Sequence, residues 1–257
     1  MTSRAPLLKD GAFFCAMTIT SATNRHLTEI RKLGRVAARS RTGRFVAEGE
    51  DFYEAAHAAR ITPLYVLCAQ GHEAAHDAGW LEVAPALLAD VSALGSSSRV
   101  IGVYEQRWSA PVGPLTVALW GVGDPGNVGT VIRAAHAFGA SCVAFGPGSA
   151  DPYGRKAVRA SMGAIFAVAL ARFASCSELP GRVVGLAADA PLPLRGPLEG
   201  ELTLLVGGER GGLPGEVRAQ CDELRSIPQV AGDSLNVAMA ATVALYEATR
   251  MAANERS

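Results

Sequence analysis

The chain of 257 residues has no net charge, with 24 basic side chains set against 24 acidic ones, so bulk electrostatics alone argues for neither a nucleic-acid nor a membrane partner. Long hydrophobic runs are missing too: Leu115 to Val122 and Ile165 to Ala171 are core-length segments, well short of a bilayer span. There is no Cys-x-x-Cys pair. Cys15, Cys68, Cys142, Cys176 and Cys221 are odd in number and scattered, the pattern of buried thiols in a reducing cytoplasm rather than of a disulfide framework or a thiolate metal site. No secretory leader is visible, because the apolar stretch Phe13 to Met17 is short and follows an acidic residue. Repeats and low-complexity tracts are absent as well. With 49% hydrophobic residues the chain is expected to be a soluble α/β protein of two modest domains, each with its own core.

Charge is distributed less evenly than its total. Arg31, Lys32, Arg35, Arg39, Arg41 and Arg44 fall in one window without an acidic residue. Such a stripe either faces phosphates or is an ordinary solvated helix face, and charge alone does not choose. Arg155, Lys156 and Arg159 form a second cluster.

Hydrophobic periodicity organises the chain into two units. Residues 1–22 are expected to form a loose extension in which Met17 is an alternative start. The first unit, 23–105, runs as a basic helix from Asn24 to about Ser40, a strand Arg44–Glu48, a helix Asp51–Arg60, a strand Pro63–Ala69, a short helix from His72, a strand Leu81–Ala84, a helix Ala86–Leu94 and a strand Arg99–Tyr104. Residues 106–114, with Pro111, Gly113 and Pro114, form a linker. The second unit, 115–257, alternates strand and helix: a strand from Leu115, a helix, a strand Cys142–Phe145, a segment Arg155–Ala160 continuing into Ile165–Ala171, strands Val183–Ala187, Leu202–Gly207 and Leu224–Ile227, and a last helix from Ser234 to about Ala253. Alternation of this kind implies a mainly parallel sheet covered on both faces.

Two familiar patterns lack their supporting residues. Gly121-Val-Gly123-Asp-Pro-Gly126 follows a strand as a dinucleotide-binding loop does, but the next strand ends in Gly146-Pro147-Gly148 instead of the acidic residue that holds a ribose, and Pro125 removes a backbone N–H. His72-Glu-Ala-Ala-His76 has zinc-peptidase spacing, but Gly71 and Gly79 confine its helix to about two turns and no third ligand follows.

Three other segments are harder to explain as packing. Asn127 and Arg133 lie on the helix after the first strand of the second unit. Leu205-Val-Gly-Gly-Glu209-Arg-Gly-Gly-Leu213 is a strand that ends in glycines and delivers one carboxylate. Ile227-Pro228 leads through a loop to Ser234-Leu235-Asn236-Val237, where Asp233 or Ser234 can cap the last helix. Each alone reads as a turn, a cap or a surface ion pair. Together they place polar groups at the carboxyl ends of parallel strands, where open α/β sheets bind ligands.

These segments resemble the three motifs of the SpoU/TrmH family of RNA 2′-O-methyltransferases, within the SPOUT class: Asn127-x-Gly129-x-x-x-Arg133-x-Ala135, Gly207-x-Glu209-x-x-Gly212-Leu213, and Ile227-Pro228 with Ser234-Leu235-Asn236-Val237. Arg155-Lys-Ala-Val-Arg-Ala-Ser-Met-Gly163 is similar to a stretch that such proteins carry between the first two motifs. The resemblance implies a parallel sheet with a trefoil knot, preceded by a small ribosomal-protein-like α/β domain whose likeness rests on Arg44-Phe-Val-Ala-Glu48-Gly49-Glu50. It implies S-adenosylmethionine as cofactor, held by Gly207, Ile227, Leu235, Leu205 and Gly212, and a homodimer in which Arg133 acts across the interface on phosphate and the 2′-oxygen. Glu209, Ser234 and Asn236 would position Arg133 and the ribose, Asn127 would order the motif loop, and the stripe Arg31 to Arg44 would dock RNA. No metal or membrane enters this reading. Two departures stand out: a shorter gap between Pro228 and Ser234, and Ala238-Met239 after Asn236-Val237. The expected activity is methylation of structured RNA, ribosomal before transfer RNA, for maturation or antibiotic resistance. The alternatives are a tRNA methyltransferase and a non-catalytic ribosome-assembly protein on the same scaffold.

Overall fold

A computed structural model describes residues 18–73, 80–94, 99–231 and 235–250. The extension before Met17, His76 of the histidine pair, and Asp233 and Ser234 lie outside these residues. Two sheets organise the chain. In the first, strands β1 (Arg44–Glu48), β2 (Tyr65–Ala69), β3 (Trp80–Val83) and β4 (Val100–Glu105) take the order β1-β4-β2-β3, antiparallel except for β2 beside β3. Helices α1 (Arg25–Leu33) and α4 (Pro85–Val91) cover one face, with Leu27, Ile30, Leu33, Leu88 and Val91 packed on Val46, Leu67 and Ile101. The basic helix expected to run unbroken to Ser40 is instead interrupted at Gly34 and resumes as α2 (Val36–Thr42), and α3 (Glu50–Ala58) follows β1.

The second sheet contains only parallel pairs, in the order β10-β8-β9-β5-β6-β7. Its strands are β5 (Leu115–Trp120), β6 (Cys142–Phe145), β7 (Ala169–Arg172), β8 (Arg182–Leu186), β9 (Leu202–Gly207) and β10 (Glu223–Arg225). Strand alternation splits the core. Val117, Leu119, Leu204 and Val206 face α5 (Pro125–Ala137) and α8 (Val237–Thr249), while Ala118, Leu205 and Cys142 face Leu213 and Val217 on the side of α7 (Gly215–Arg218). The run Ile165–Ala171 does not continue α6 (Arg155–Ser161). Met162 and Gly163 both take positive φ, 48° and 85°, ending the helix, and the chain turns to form β7 at the sheet edge.

Besides the core that each sheet keeps for itself, the two share a third. Phe45 and Tyr104 of the first pack into the largest apolar cluster of the second, with ring centroids 4.7 Å apart for Phe45 and Tyr153 and 4.8 Å for Tyr104 and Phe166. Residues 106–114 are anchored as well: the Ser109 N–H donates to Leu170 O at 2.9 Å, Tyr153 Oη donates to Arg107 O at 2.6 Å, and the Arg172 guanidinium lies 4.1 Å from the Trp108 ring. Among the described residues no helix is long and apolar enough to cross a membrane.

Candidate functional site

The sequence Asp124-Pro125-Gly126-Asn127 starts α5 in the usual chemical way: Asp124 accepts the Asn127 N–H at 3.0 Å as N-cap, and Pro125 occupies the first turn. That contact leaves the Asn127 side chain free of the capping role. Asn127 Nδ2 donates to Glu209 Oε1 at 2.8 Å, and Asn236 Nδ2 donates to Asn127 Oδ1 at 3.1 Å. Asn236 is itself the N-cap of α8, its Oδ1 accepting from the Ala238 and Met239 amides at 2.9 and 3.3 Å. The helix therefore starts at Val237 rather than at Ser234. One residue from each of the three motifs thus joins a single hydrogen-bonded chain.

Burial works to raise the Glu209 pKa, but the Asn127 amide and the N–H groups of Glu209, Gly123 and Asp124 outweigh it and hold the carboxyl below its ordinary range. Asp124 is also held down, first by Lys156 Nζ at 2.7 Å and then by the Asn127 amide. Both groups are anions at neutral pH.

The loop carrying Glu209 passes close to its neighbours. A Cβ on Gly207 would lie 2.2 Å from Gly212 C, and one on Gly208 would lie 2.2 Å from Gly121 O, so side chains are excluded at both positions. On one side of this loop lies a cleft of about 420 Å³, lined by Leu186, Val206, Ile227, Leu235 and the backbone from Gly207 to Gly212. Four of the five expected cofactor contacts, Gly207, Gly212, Ile227 and Leu235, line it. Leu205 does not: strand alternation turns it into the opposite core layer, fully buried, and Val206 takes its place. Asp189, bound to Arg218 by two contacts of 3.0 Å, also lines the cleft. Sequence reasoning missed Asp189 because only the strand order, with β8 between β10 and β9, brings the loop after β8 to this end of the sheet.

Other expected residues fall elsewhere. Arg133 projects from the exposed face of α5, lines neither this cleft nor the Asn127 network, and makes no hydrogen bond or ion pair with the described residues. The basic stripe divides. Arg39 is turned inward, 4% exposed, with Nε at 2.8 Å from Asp151 and Nη1 at 2.8 Å from Leu33 O, which corrects its assignment to an RNA surface. Arg31 pairs with Asp90 and Arg44 with Glu29, each at 2.7 Å. Lys32, Arg35 and Arg41 are left exposed. Arg155, from the second basic cluster, is also inward-facing, donating to Val91 O and Ile30 O at 2.8 and 2.9 Å. His72 of the histidine pair stacks on Trp80 and lies 3.3 Å from Glu50.

The profile of the SpoU rRNA Methylase family matches residues 114–246, the stretch that contains all three motif segments. The chain belongs to this family. It is 37% identical over 148 residues to a 23S rRNA (uridine(2479)-2′-O)-methyltransferase of Streptomyces viridochromogenes, covering 52% of each chain. It is 32% identical over 146 residues to the 23S rRNA (guanosine-2′-O-)-methyltransferase RlmB of Escherichia coli, covering 53% of this chain and 60% of that protein. The matched stretches thus span little more than half the length of these curated relatives. Among solved structures, an AdoMet-bound rRNA methyltransferase from Sinorhizobium meliloti superposes with a TM-score of 0.80 at 30% identity, over 91% of this chain and 97% of that one. The SpoU methyltransferase AviRb from Streptomyces viridochromogenes, in complex with AdoMet, gives 0.79 at 27%, over 90% and 100%. The α/β fold with its parallel sheet is that of SpoU methyltransferases.

Proposed function

We propose that the protein is an S-adenosylmethionine-dependent 2′-O-ribose methyltransferase acting on structured RNA, with ribosomal RNA as its substrate. The observation that carries this reading is the Glu209–Asn127–Asn236 chain, which joins the three motif segments beside a cleft of about 420 Å³. That volume suits a nucleoside-sized ligand. The wall chemistry fits the cofactor too: Ile227, Leu235 and Val206 offer apolar surface to an adenine, and the side-chain-free backbone at Gly207 and Gly212 lets a ligand approach closely. When bound there, S-adenosylmethionine supplies the methyl group.

The chain's own residues do the rest. Glu209 and Asn127 fix each other, and Asn236 fixes Asn127 while starting α8, so the three segments hold one geometry before substrate arrives. Arg133 is assigned to the phosphate and the 2′-oxygen, where a guanidinium donates hydrogen bonds and stabilises developing negative charge without acting as a base. Its absence from the network within one chain supports the homodimer, in which Arg133 of a second copy completes the site. A surface suited to that copy exists on α8: Met239, Val243 and Tyr246 are 62%, 38% and 54% exposed at helical spacing, and Tyr246 meets Phe138 at the end of α5.

Residues 23–105 are proposed as the RNA-docking domain, 106–114 as its connection and 115–257 as the knotted methyltransferase domain. The knot is carried over from the likeness to the SpoU/TrmH family; in this chain the segment after the edge strand β10 returns to α8, which packs against β9 and α5. The departure at Ala238-Met239 does not favour an inactive scaffold, since neither residue lines the cleft and both amides are occupied by the Asn236 cap. The test is methyl transfer from labelled S-adenosylmethionine to ribosomal RNA, with the modified ribose mapped. An Arg133→Ala protein is expected to fold and to lose transfer, and mixing it with an inactive Asn127→Ala protein should restore part of the activity through hybrid dimers. Full activity of Arg133→Ala would remove the assigned role.

A further inference from the structure

Two clefts share the loop Gly208–Gly212 as lining. The second cleft, about 710 Å³, is lined by Trp120, Gly121, Gly123, Asp124, Asn127, the backbone from Gly208 to Gly212, and Pro214. Its chemistry differs from that of the first. Both carry Glu209, Arg210 and glycine backbone; the first adds Ile227, Leu235, Asp189 and Arg218, and the second adds Trp120, Asp124 and Asn127. Trp120 sits at the carboxyl end of β5, half-buried, with its ring 5.8 Å from Phe173.

Arg210 lines both clefts. It is exposed and makes no hydrogen bond or ion pair with the described residues. The nearby acids are already engaged, Glu209 by Asn127 and backbone amides, Asp124 by Lys156. An arginine left without an internal partner beside an open cleft is a cation suited to an external anion, and its planar fork matches phosphate.

We propose that this second cleft binds the acceptor nucleotide, splayed out of its RNA helix, with its base against Trp120 and its phosphodiester at Arg210. The inference rests on the methyltransferase reading and adds to it the place of the substrate. The donor's cleft and the acceptor's cleft share the lining residues Gly208 to Gly212, so a ribose in the second can present its 2′-oxygen directly to a donor held in the first. A base reaches an indole in this way only when unstacked, as in enzymes that act on extruded nucleotides, and an aromatic face accepts any base without hydrogen-bond readout. Trp120 and Arg210 are therefore positioning residues that affect RNA affinity more than donor affinity.

The test uses the full-length protein, deproteinised ribosomal RNA and S-adenosylmethionine, with Arg210→Gln, Trp120→Leu and Trp120→Phe. Donor affinity is measured by calorimetry, KM and kcat by methyl transfer, and folding by thermal melts. Arg210→Gln is expected to raise the RNA KM roughly tenfold and to lower the salt dependence of RNA binding by about one counterion, with donor affinity within about twofold of the parent. Trp120→Leu should raise the RNA KM roughly tenfold, and Trp120→Phe should recover most of that loss because a ring remains. A loss of donor affinity in Arg210→Gln with RNA KM unchanged would place the arginine on the donor's carboxylate and overturn the proposal. So would parental kinetics in a folded Trp120→Leu protein. If the unaltered protein neither binds S-adenosylmethionine nor transfers methyl, the underlying function falls, and this inference with it.

Discussion

Replacing Arg155 with methionine tests what joins the two sheets. The guanidinium donates to Val91 O at 2.8 Å and to Ile30 O at 2.9 Å, and lies 3.2 Å from Glu48. The arginine and glutamate side chains are 21% and 7% exposed. Burial lowers the arginine's pKa while Glu48 opposes it, as expected for a cation kept in the interior by its partners. Removing one member of a buried pair costs about 3–5 kcal/mol. Two features discount this. Glu48 would keep the Ser92 hydroxyl at 2.7 Å and the Ala93 amide at 3.0 Å, and Arg155 is not fully buried. The expected loss is about 2–3 kcal/mol, mostly from the two carbonyls and a partly desolvated carboxylate left without their cation. At about 2–4 °C per kcal/mol for a protein of this size, the melting temperature should fall by about 4–12 °C. Urea unfolding of Arg155→Met, Glu48→Gln and the double variant gives the coupling directly, and the double variant should be less destabilised than the sum of the two. A loss below about 1 kcal/mol, or strict additivity, would refute the reasoning.

Gly208→Ala would force a methyl to within 2.2 Å of the Gly121 carbonyl, a backbone atom that cannot yield without separating the β5 and β9 turns. Calorimetry should show donor affinity weakened at least tenfold, and parental affinity would mean that the loop Gly207–Gly212 tolerates the displacement. The acid limb follows from Glu209 and Asp124. Both pKa values lie below their ordinary ones, so the native state holds fewer protons on these groups than the unfolded chain does. Their contribution is present above the ordinary carboxylate range and is lost as pH falls through the depressed values. Donor affinity should accordingly be flat from pH 8 to about pH 5 and decline only in more acid solution. A carboxyl resonance of Glu209 titrating at or above its ordinary value would contradict the network.

The elements that sequence made legible are those whose signals are local. The glycines around Glu209 mark a tight loop and parallel alternation brings the strand ends together, so the three motif segments holding Asn127, Glu209 and Asn236 stood out, whereas the cap of the last helix, expected at Asp233 or Ser234, falls on Asn236. Long-range partners were not legible. Arg39 looked like part of a phosphate-facing stripe, yet its acceptor, Asp151, lies 112 residues away. Arg155 counted toward a second basic cluster, yet it reaches Ile30 O across 125 residues. Counting charges cannot separate a solvated arginine from one satisfied by carbonyls, because the difference lies wholly in tertiary placement. The strand β7 was missed for another reason: a short apolar run has no period to distinguish helix from strand, and only the positive-φ pair Met162–Gly163 breaks the helix before it.

The seven-residue helix α6 brings these scales together. Its first residue, Arg155, reaches into the first unit, and the next, Lys156, reaches the N-cap of α5 at Asp124. The two contacts are unequal. Lys156 and Asp124 are 64% and 44% exposed in their side chains, so solvent screening leaves that pair within about 1 kcal/mol. Arg155 is desolvated and saturates two carbonyls, and it works beside Phe45, Tyr104, Tyr153 and Phe166, whose rings pack across the same boundary. Position of the first unit relative to the motif turns is therefore set by the buried cation and the aromatic packing, while Lys156 adjusts the turn that bears Asn127. It follows that weakening the Lys156 contact should disturb Asp124 and its cap without loosening the sheets, whereas weakening Arg155 should loosen the sheets and leave the Asn127–Glu209–Asn236 chain, which Arg155 does not touch, with its own hydrogen bonds.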